Sequence, residues 1–185
     1  MAESFQVPIT ALRRSLGARR AEHRRGRIGR LSVAGNTVSA DAVVDVEVVL
    51  SMLDGGIEVS GHVTAPWSGE CRRCLRPVSG ELSVGVRELY RPGTPSGRSG
   101  EAVAGTAGNR SAGDEDTYVL TGEALDLRPM ARDALLLELP LAPLCRPDCA
   151  GLCPTCGADR NEEACTCAPD AGDPRWAGLD ALGGK

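Results

Sequence analysis

From residue 43 the chain alternates apolar and polar positions with a period of two. Val44, Val46, Val48, Leu50 and Met52 interleave with Asp45, Glu47 and Ser51. That pattern predicts a half-buried strand over 43–53, because successive side chains of a strand face opposite ways. Asp54-Gly55-Gly56 is a hairpin turn, and Ile57, Val59, Gly61 and Val63 return as a strand over 57–64. After a loop holding Cys71 and Cys74, Leu82, Val84, Val86 and Leu89 give a strand over 82–90, and Tyr118-Val119-Leu120 another over 117–121. Asp126 as N-cap, Pro129 in a first turn, and Leu127, Met130, Ala134 and Leu135 predict an apolar helix over 126–139, stopped by Pro140. Residues 91–116 are rich in Gly, Ser, Thr and Ala, lack aromatics and show no period, so they read as a disordered insertion. The expected class is α+β: an antiparallel sheet and packing helix over 31–144, flanked by two unlike ends.

The first end, residues 1–30, is a basic arm with one short helix around Leu12 and Leu16; a solvated terminus is the alternative. It holds eight arginines against Glu3 and Glu22 in a chain of net charge −4. Arg13, Arg14, Arg19, Arg20, Arg24 and Arg25 lie there, and a guanidinium fork matches phosphate oxygens. The other end, residues 145–185, is rich in cysteine. Six of the eight cysteines fall between Cys145 and Cys167. Cys153-Pro-Thr-Cys156-Gly157 has the form of a zinc knuckle, in which two thiolates grip one ion and the glycine supplies the positive φ of the turn. Cys165-x-Cys167 follows closely enough to close a four-sulfur site.

An even cysteine count also suits a disulfide scaffold. Against it, the N-terminus has no apolar signal core, and no stretch approaches the ~20 apolar residues of a membrane span. A reducing cytoplasm is expected, where paired Cys-x-x-Cys motifs indicate metal or redox chemistry. A thioredoxin-like role for Cys71 and Cys74 fits poorly, because Pro-Trp-Ser-Gly precedes the pair and Arg-Pro follows it, with no helix to open. Only five residues are aromatic, so the core is built from Val, Leu and Ala, and metal staples gain structural weight. Trp176, near the carboxyl end, is expected to pack on the cysteine lobe or the sheet. The two histidines, His23 and His62, are far in sequence from the cysteines, and no P-loop, nucleophile elbow or paired-carboxylate motif is present. No enzyme is expected, and no small-molecule substrate.

Several motifs together resemble the bacterial YceD family. They are Glu-Cys71-Arg-Arg-Cys74-Leu after a valine-rich hairpin, Leu127-Arg-Pro-Met running through Leu-Leu-Leu-Glu-Leu-Pro-Leu-Ala-Pro-Leu-Cys145, Cys-x-Gly-Leu-Cys-Pro-x-Cys-Gly, and a closing Asp173-Pro-Arg-Trp-Ala. The resemblance covers about residues 6–90 and 117–180. It implies a part in accumulation of large-subunit ribosomal RNA, through 23S rRNA processing or subunit assembly. It also suggests a small zinc-ribbon protein of the large subunit as a partner. Some members keep the first cysteine pair without the later cysteines, so the first pair has two readings: alone, or sharing a metal with the second cluster.

The preferred arrangement has two zinc sites. Cys153, Cys156, Cys165 and Cys167 form the first, with Cys149 as substitute for Cys167. Cys71, Cys74, Cys145 and Cys149 form the second, which needs a long-range approach. Four-sulfur sites of this kind hold shape and leave no open position for catalysis. Residues 145–185 carry four basic and seven acidic side chains, so the lobe should repel phosphate and meet a basic protein. The N-terminal arginines, with Arg72 and Arg73 in the first cysteine loop, are the candidate phosphate contacts. A non-enzymatic ribosome-assembly factor is the expected function, and a cytosolic zinc–thiol redox sensor the alternative.

Overall fold

The structure is a computed structural model describing residues 5–93, 117–120, 122–167 and 175. The strands are β1 (Gln6–Pro8), β2 (Arg19–Gly26), β3 (Leu31–Val33), β4 (Asn36–Val38), β5 (Val44–Leu53), β6 (Gly56–Glu70), β7 (Pro77–Pro92), β8 (Thr117–Leu120) and β9 (Ala124–Asp126), followed by α1 (Arg128–Glu138). The architecture is mostly antiparallel sheet with one helix. Strand β6 is its spine. Along one edge it pairs with β5 and, nearer its end, touches β4 at Thr37; along the other it pairs with β7 from Ile57 to Glu70. The Val and Leu positions read from the alternation form the core: Val44, Val46, Val48, Leu50, Val59 and Val63 are all buried, and Met130, Ala131 and Leu135 of α1 close over them. The N-cap position is Leu127 and not the expected Asp126, which ends β9; its Oδ1 still accepts the Arg128 amide at 2.9 Å, one residue before the cap. Of the apolar run in α1, Leu137 is 87% exposed, so that face of the helix lies outside the core.

Four further expectations change. The basic segment is no arm: Arg19–Gly26 forms an eight-residue edge strand paired antiparallel with β5. Its period-two signal is hidden because the side turned inward carries Arg20, Glu22 and Arg24 in place of apolar residues. Glu22 sits between the two arginines at 2.7 Å and 2.8 Å, which lets charged heads pair while their stems cover the core edge. The short helix shrinks to a 3-10 turn, Leu12–Arg14, with Leu12 buried and Leu16 exposed. Strand β8 runs parallel to β7, not antiparallel. Strands β6 and β7 extend well beyond 57–64 and 82–90, carrying the hairpin out to the first cysteine pair. Most of the 91–116 insertion, residue 121 and Trp176 lie outside the described residues.

Candidate metal centre

The six residues from Cys71 to Arg76 join β6 to β7, so Cys71 and Cys74 ride the tip of the longest hairpin. The Cys71 amide donates to the Arg76 carbonyl at 2.8 Å, and the Leu75 amide to the Cys71 carbonyl at 2.9 Å. Further along, the Cys153 amide donates to Ala158 at 2.8 Å and the Gly157 amide to Cys153 at 2.9 Å. The two loops are therefore the same knuckle. Both need a left-handed residue after the second cysteine, and Gly157 takes it at φ 76° without penalty. In the first loop Leu75 takes it at φ 60°, at a cost of about 1–2 kcal/mol for a residue with a Cβ. The loop closes despite that cost, which fits an external constraint on its two sulfurs.

That constraint comes from a distant segment. After α1 the chain returns through Pro140, whose carbonyl accepts from Asn36 Nδ2 at 2.6 Å, and through Pro143, whose carbonyl accepts from the Arg72 amide at 2.8 Å. Cys145 and Cys149 follow. The sulfurs of Cys71, Cys74, Cys145 and Cys149 all lie within 4.8 Å of one another, with Cys71 to Cys149 at 3.8 Å and Cys74 to Cys145 at 3.6 Å. A tetrahedral ion with Zn–S bonds of ~2.3 Å sets sulfur–sulfur edges of about 3.8 Å, so the four fit such an ion. A disulfide, by contrast, needs ~2.05 Å. Cys71, Cys74 and Cys149 are buried, and Val78, Leu144 and Leu152 pack around them. Burial raises the Cys71 thiol, but amides of Cys74, Cys145 and Arg73 outweigh it and bring the group to about 6. Cys145 is exposed as a residue while its sulfur faces the other three; desolvation and then those sulfurs push it up to about 12. Sharing a dication relieves that conflict, because every thiolate then gains an opposite charge.

The outer group, Cys153, Cys156, Cys165 and Cys167, also brings its sulfurs within 4.8 Å. It is more open: Cys153 is buried, Cys165 and Cys167 are half-buried, and Cys156 is exposed. Backbone amides of Cys156 and Thr155 lead in lowering Cys153 to about 5, against burial. The Cys156 sulfur leads in pushing Cys167 up to about 12. Both groups of four can hold a metal ion.

Two adjacent residues tie the groups together. Arg160 Nη2 approaches Cys153 Sγ of the outer group at 3.9 Å. Asn161 Nδ2 donates to Cys149 Sγ of the inner group at 3.5 Å, while its Oδ1 accepts the Ala150 amide at 2.8 Å. Arg73 adds a second tie, donating from Nη1 to the Cys149 carbonyl at 2.8 Å and accepting the Leu152 amide at 3.0 Å. Gly151 lies so close that a Cβ there would meet the Arg73 carbonyl at 3.0 Å. Arg76 bridges to Asp159 at 2.6 Å and to Glu162. Sequence reasoning missed Arg160, Asn161 and Arg76; the only trace of Asn161 was an Asp-x-Asn turn pattern between cysteine pairs.

The arginines singled out above separate into two kinds. Arg13 donates to the Gly122 carbonyl at 3.1 Å, Arg20 to Pro8 at 2.6 Å, Arg24 is held by Glu22, and Arg25 is held by Asp45 at 2.9 Å. Arg73 supports the inner cluster. Arg14, Arg19 and Arg72 are exposed. The β2 arginines and the Arg72–Arg73 loop sit on different elements, one on the edge strand paired with β5 and the other at the tip of the β6–β7 hairpin.

Comparison with known proteins places this geometry in context. The chain matches the family model described as Large ribosomal RNA subunit accumulation protein YceD over residues 59–183. An uncharacterized protein of Mycobacterium tuberculosis is 34% identical over 190 residues, covering 97% of this chain and 81% of the relative. One of Mycobacterium leprae is 32% identical over 140 residues, covering 75% of this chain and 58% of the relative. The maize chloroplastic Large ribosomal RNA subunit accumulation protein YCED homolog 1 is 26% identical over 189 residues, covering 90% and 64%. No solved structure matches the chain. The family match takes in the hairpin-tip knuckle, the helix and both cysteine groups, and the mycobacterial likeness runs nearly end to end, so this chain belongs to the YceD family.

Proposed function

We propose that the protein is a non-enzymatic accessory factor of large ribosomal subunit biogenesis, supporting accumulation of 23S rRNA, with zinc in both cysteine groups. The family match over residues 59–183 carries this reading. All-thiolate ligand sets of four close the coordination sphere, so the ions hold shape. RNA is met through phosphate by exposed guanidinium groups, Arg14, Arg19 and Arg72, and the acidic carboxyl-terminal lobe faces a basic protein of the subunit. Filter binding of 23S rRNA fragments across a salt series tests this. The Arg14→Ala, Arg19→Ala, Arg72→Ala triple variant should bind all fragments more weakly and lower the salt slope by about 2–3. Unchanged affinity and slope would remove the assignment.

The exposure of Cys156 favours one further role for the outer group, as a zinc–thiol sensor. Stoichiometric zinc release at low peroxide, with altered RNA affinity, supports it. Release only at oxidant levels that unfold the protein excludes it.

A further inference from the structure

The outward face of the sheet carries a group of ligands that neither cysteine cluster uses. His23 on β2 stands directly opposite Glu47 on β5, and Glu47 directly opposite His62 on β6. These are the chain's two histidines, drawn from distant positions into one cross-strand row. The inward neighbours Val46, Val48 and Val63 are buried, so alternation turns His23, Glu47, Asp45 and His62 to the solvent side. His23 Nε2 lies 2.8 Å from Asp45 Oδ1 and 3.9 Å from Glu47 Oε1, and one ligand atom from each of the three falls within 4.8 Å of the others. Asp45, Glu47 and His62 share a cleft of about 260 Å³. Opposite His62 on β7 is Gly85, where an added Cβ would meet nothing within 4 Å, leaving the imidazole room to turn.

We infer that His23, Asp45, Glu47 and His62 form a third metal site, distinct in chemistry from the cysteine groups, for a divalent first-row transition ion. Two imidazoles and two carboxylates suit zinc, nickel or cobalt better than magnesium or calcium, which prefer all-oxygen shells. The strands hold His23, Asp45 and Glu47 together before any ion arrives, while His62, beside Glu47 in register but outside that close group, turns in as the fourth ligand. Arg25 Nε holds the other oxygen of Asp45 at 2.9 Å. It orients Oδ1 toward His23 and opposes a cation by its charge, so it weakens the site while shaping it.

Nickel titration of the full chain, its cysteine groups loaded with zinc, tests the inference. Imidazole NMR resonances supply the readout, and a zinc-release dye reports any displacement at cysteine. One equivalent should bind, shifting both His23 and His62 together without zinc release. His23→Ala and Glu47→Gln should each weaken binding at least about tenfold, and Arg25→Ala should tighten it. The substituted positions are outward-facing, so far-UV circular dichroism should match the parent. Absence of saturable binding below about 1 mM, equal affinity in Glu47→Gln, or a resonance shift confined to one histidine would overturn the site.

Discussion

The two cysteine groups use the same knuckle and differ in what they join. The inner group links the tip of the β6–β7 hairpin to the segment after α1, with Cys74 and Cys145 separated by 71 positions. The outer group closes a local loop, from Cys153 to Cys167. Loop-closure entropy grows with the logarithm of length, so with an ion held by each group the inner link would be worth about 1.5 kcal/mol more on that ground alone. Three of the four inner residues are buried, against one of the outer four. The same chemistry thus serves as a tertiary staple in one place and as a local fold in the other. The difference teaches that ligand spacing reports the presence of a site, while the topology between ligand pairs reports how much of the protein depends on it.

Breaking the staple should have the largest effect. Cys149→Ser removes a buried ligand and leaves the hairpin tip untethered, so a loss on the order of 4 kcal/mol is expected, about 10 °C in Tm. Scanning calorimetry checks it. Cys156→Ser should remove only the outer ion and lower Tm by less than half as much; an equal drop would erase the distinction. Under a chelator, the outer ion should leave at least about tenfold faster than the inner one, read as two phases with a zinc dye, because exchange follows exposure. Asn161→Ala sharpens the comparison most finely. It removes a donor to Cys149 Sγ and the acceptor of the Ala150 amide, so inner-site affinity should fall about tenfold with both ions still bound. Competition against a chelator of known affinity measures that shift. If the outer site weakens instead, Asn161 supports the wrong cluster.

Much of this comparison was legible in the sequence, for reasons that differ by residue. The knuckle at Cys153 was plain because its positive-φ position is Gly157. The one at Cys71 was less so, because Leu75 fills that position against its own preference. The alternation through Val44 to Met52 located β5 and its hairpin because one face is apolar throughout. Strand β2 escaped the same test because its inward face is Arg20, Glu22 and Arg24, an ion-paired ladder with no hydrophobic period. Strands β1 and β9 have three residues each, too few for any period to register. Arg160 left no signal and Asn161 only a turn pattern, because a polar turn between cysteines looks alike whether or not its side chains reach sulfur.

The most direct test is native mass spectrometry of the full chain purified without added metal, alongside Cys71→Ser and Cys153→Ser. Two tightly held zinc ions are expected in the parent. Cys153→Ser should keep one, tied to the inner four sulfurs, and Cys71→Ser should lose the inner ion. A metal-free parent that is folded, or one ion lost identically by both variants, would contradict two separate four-cysteine centres.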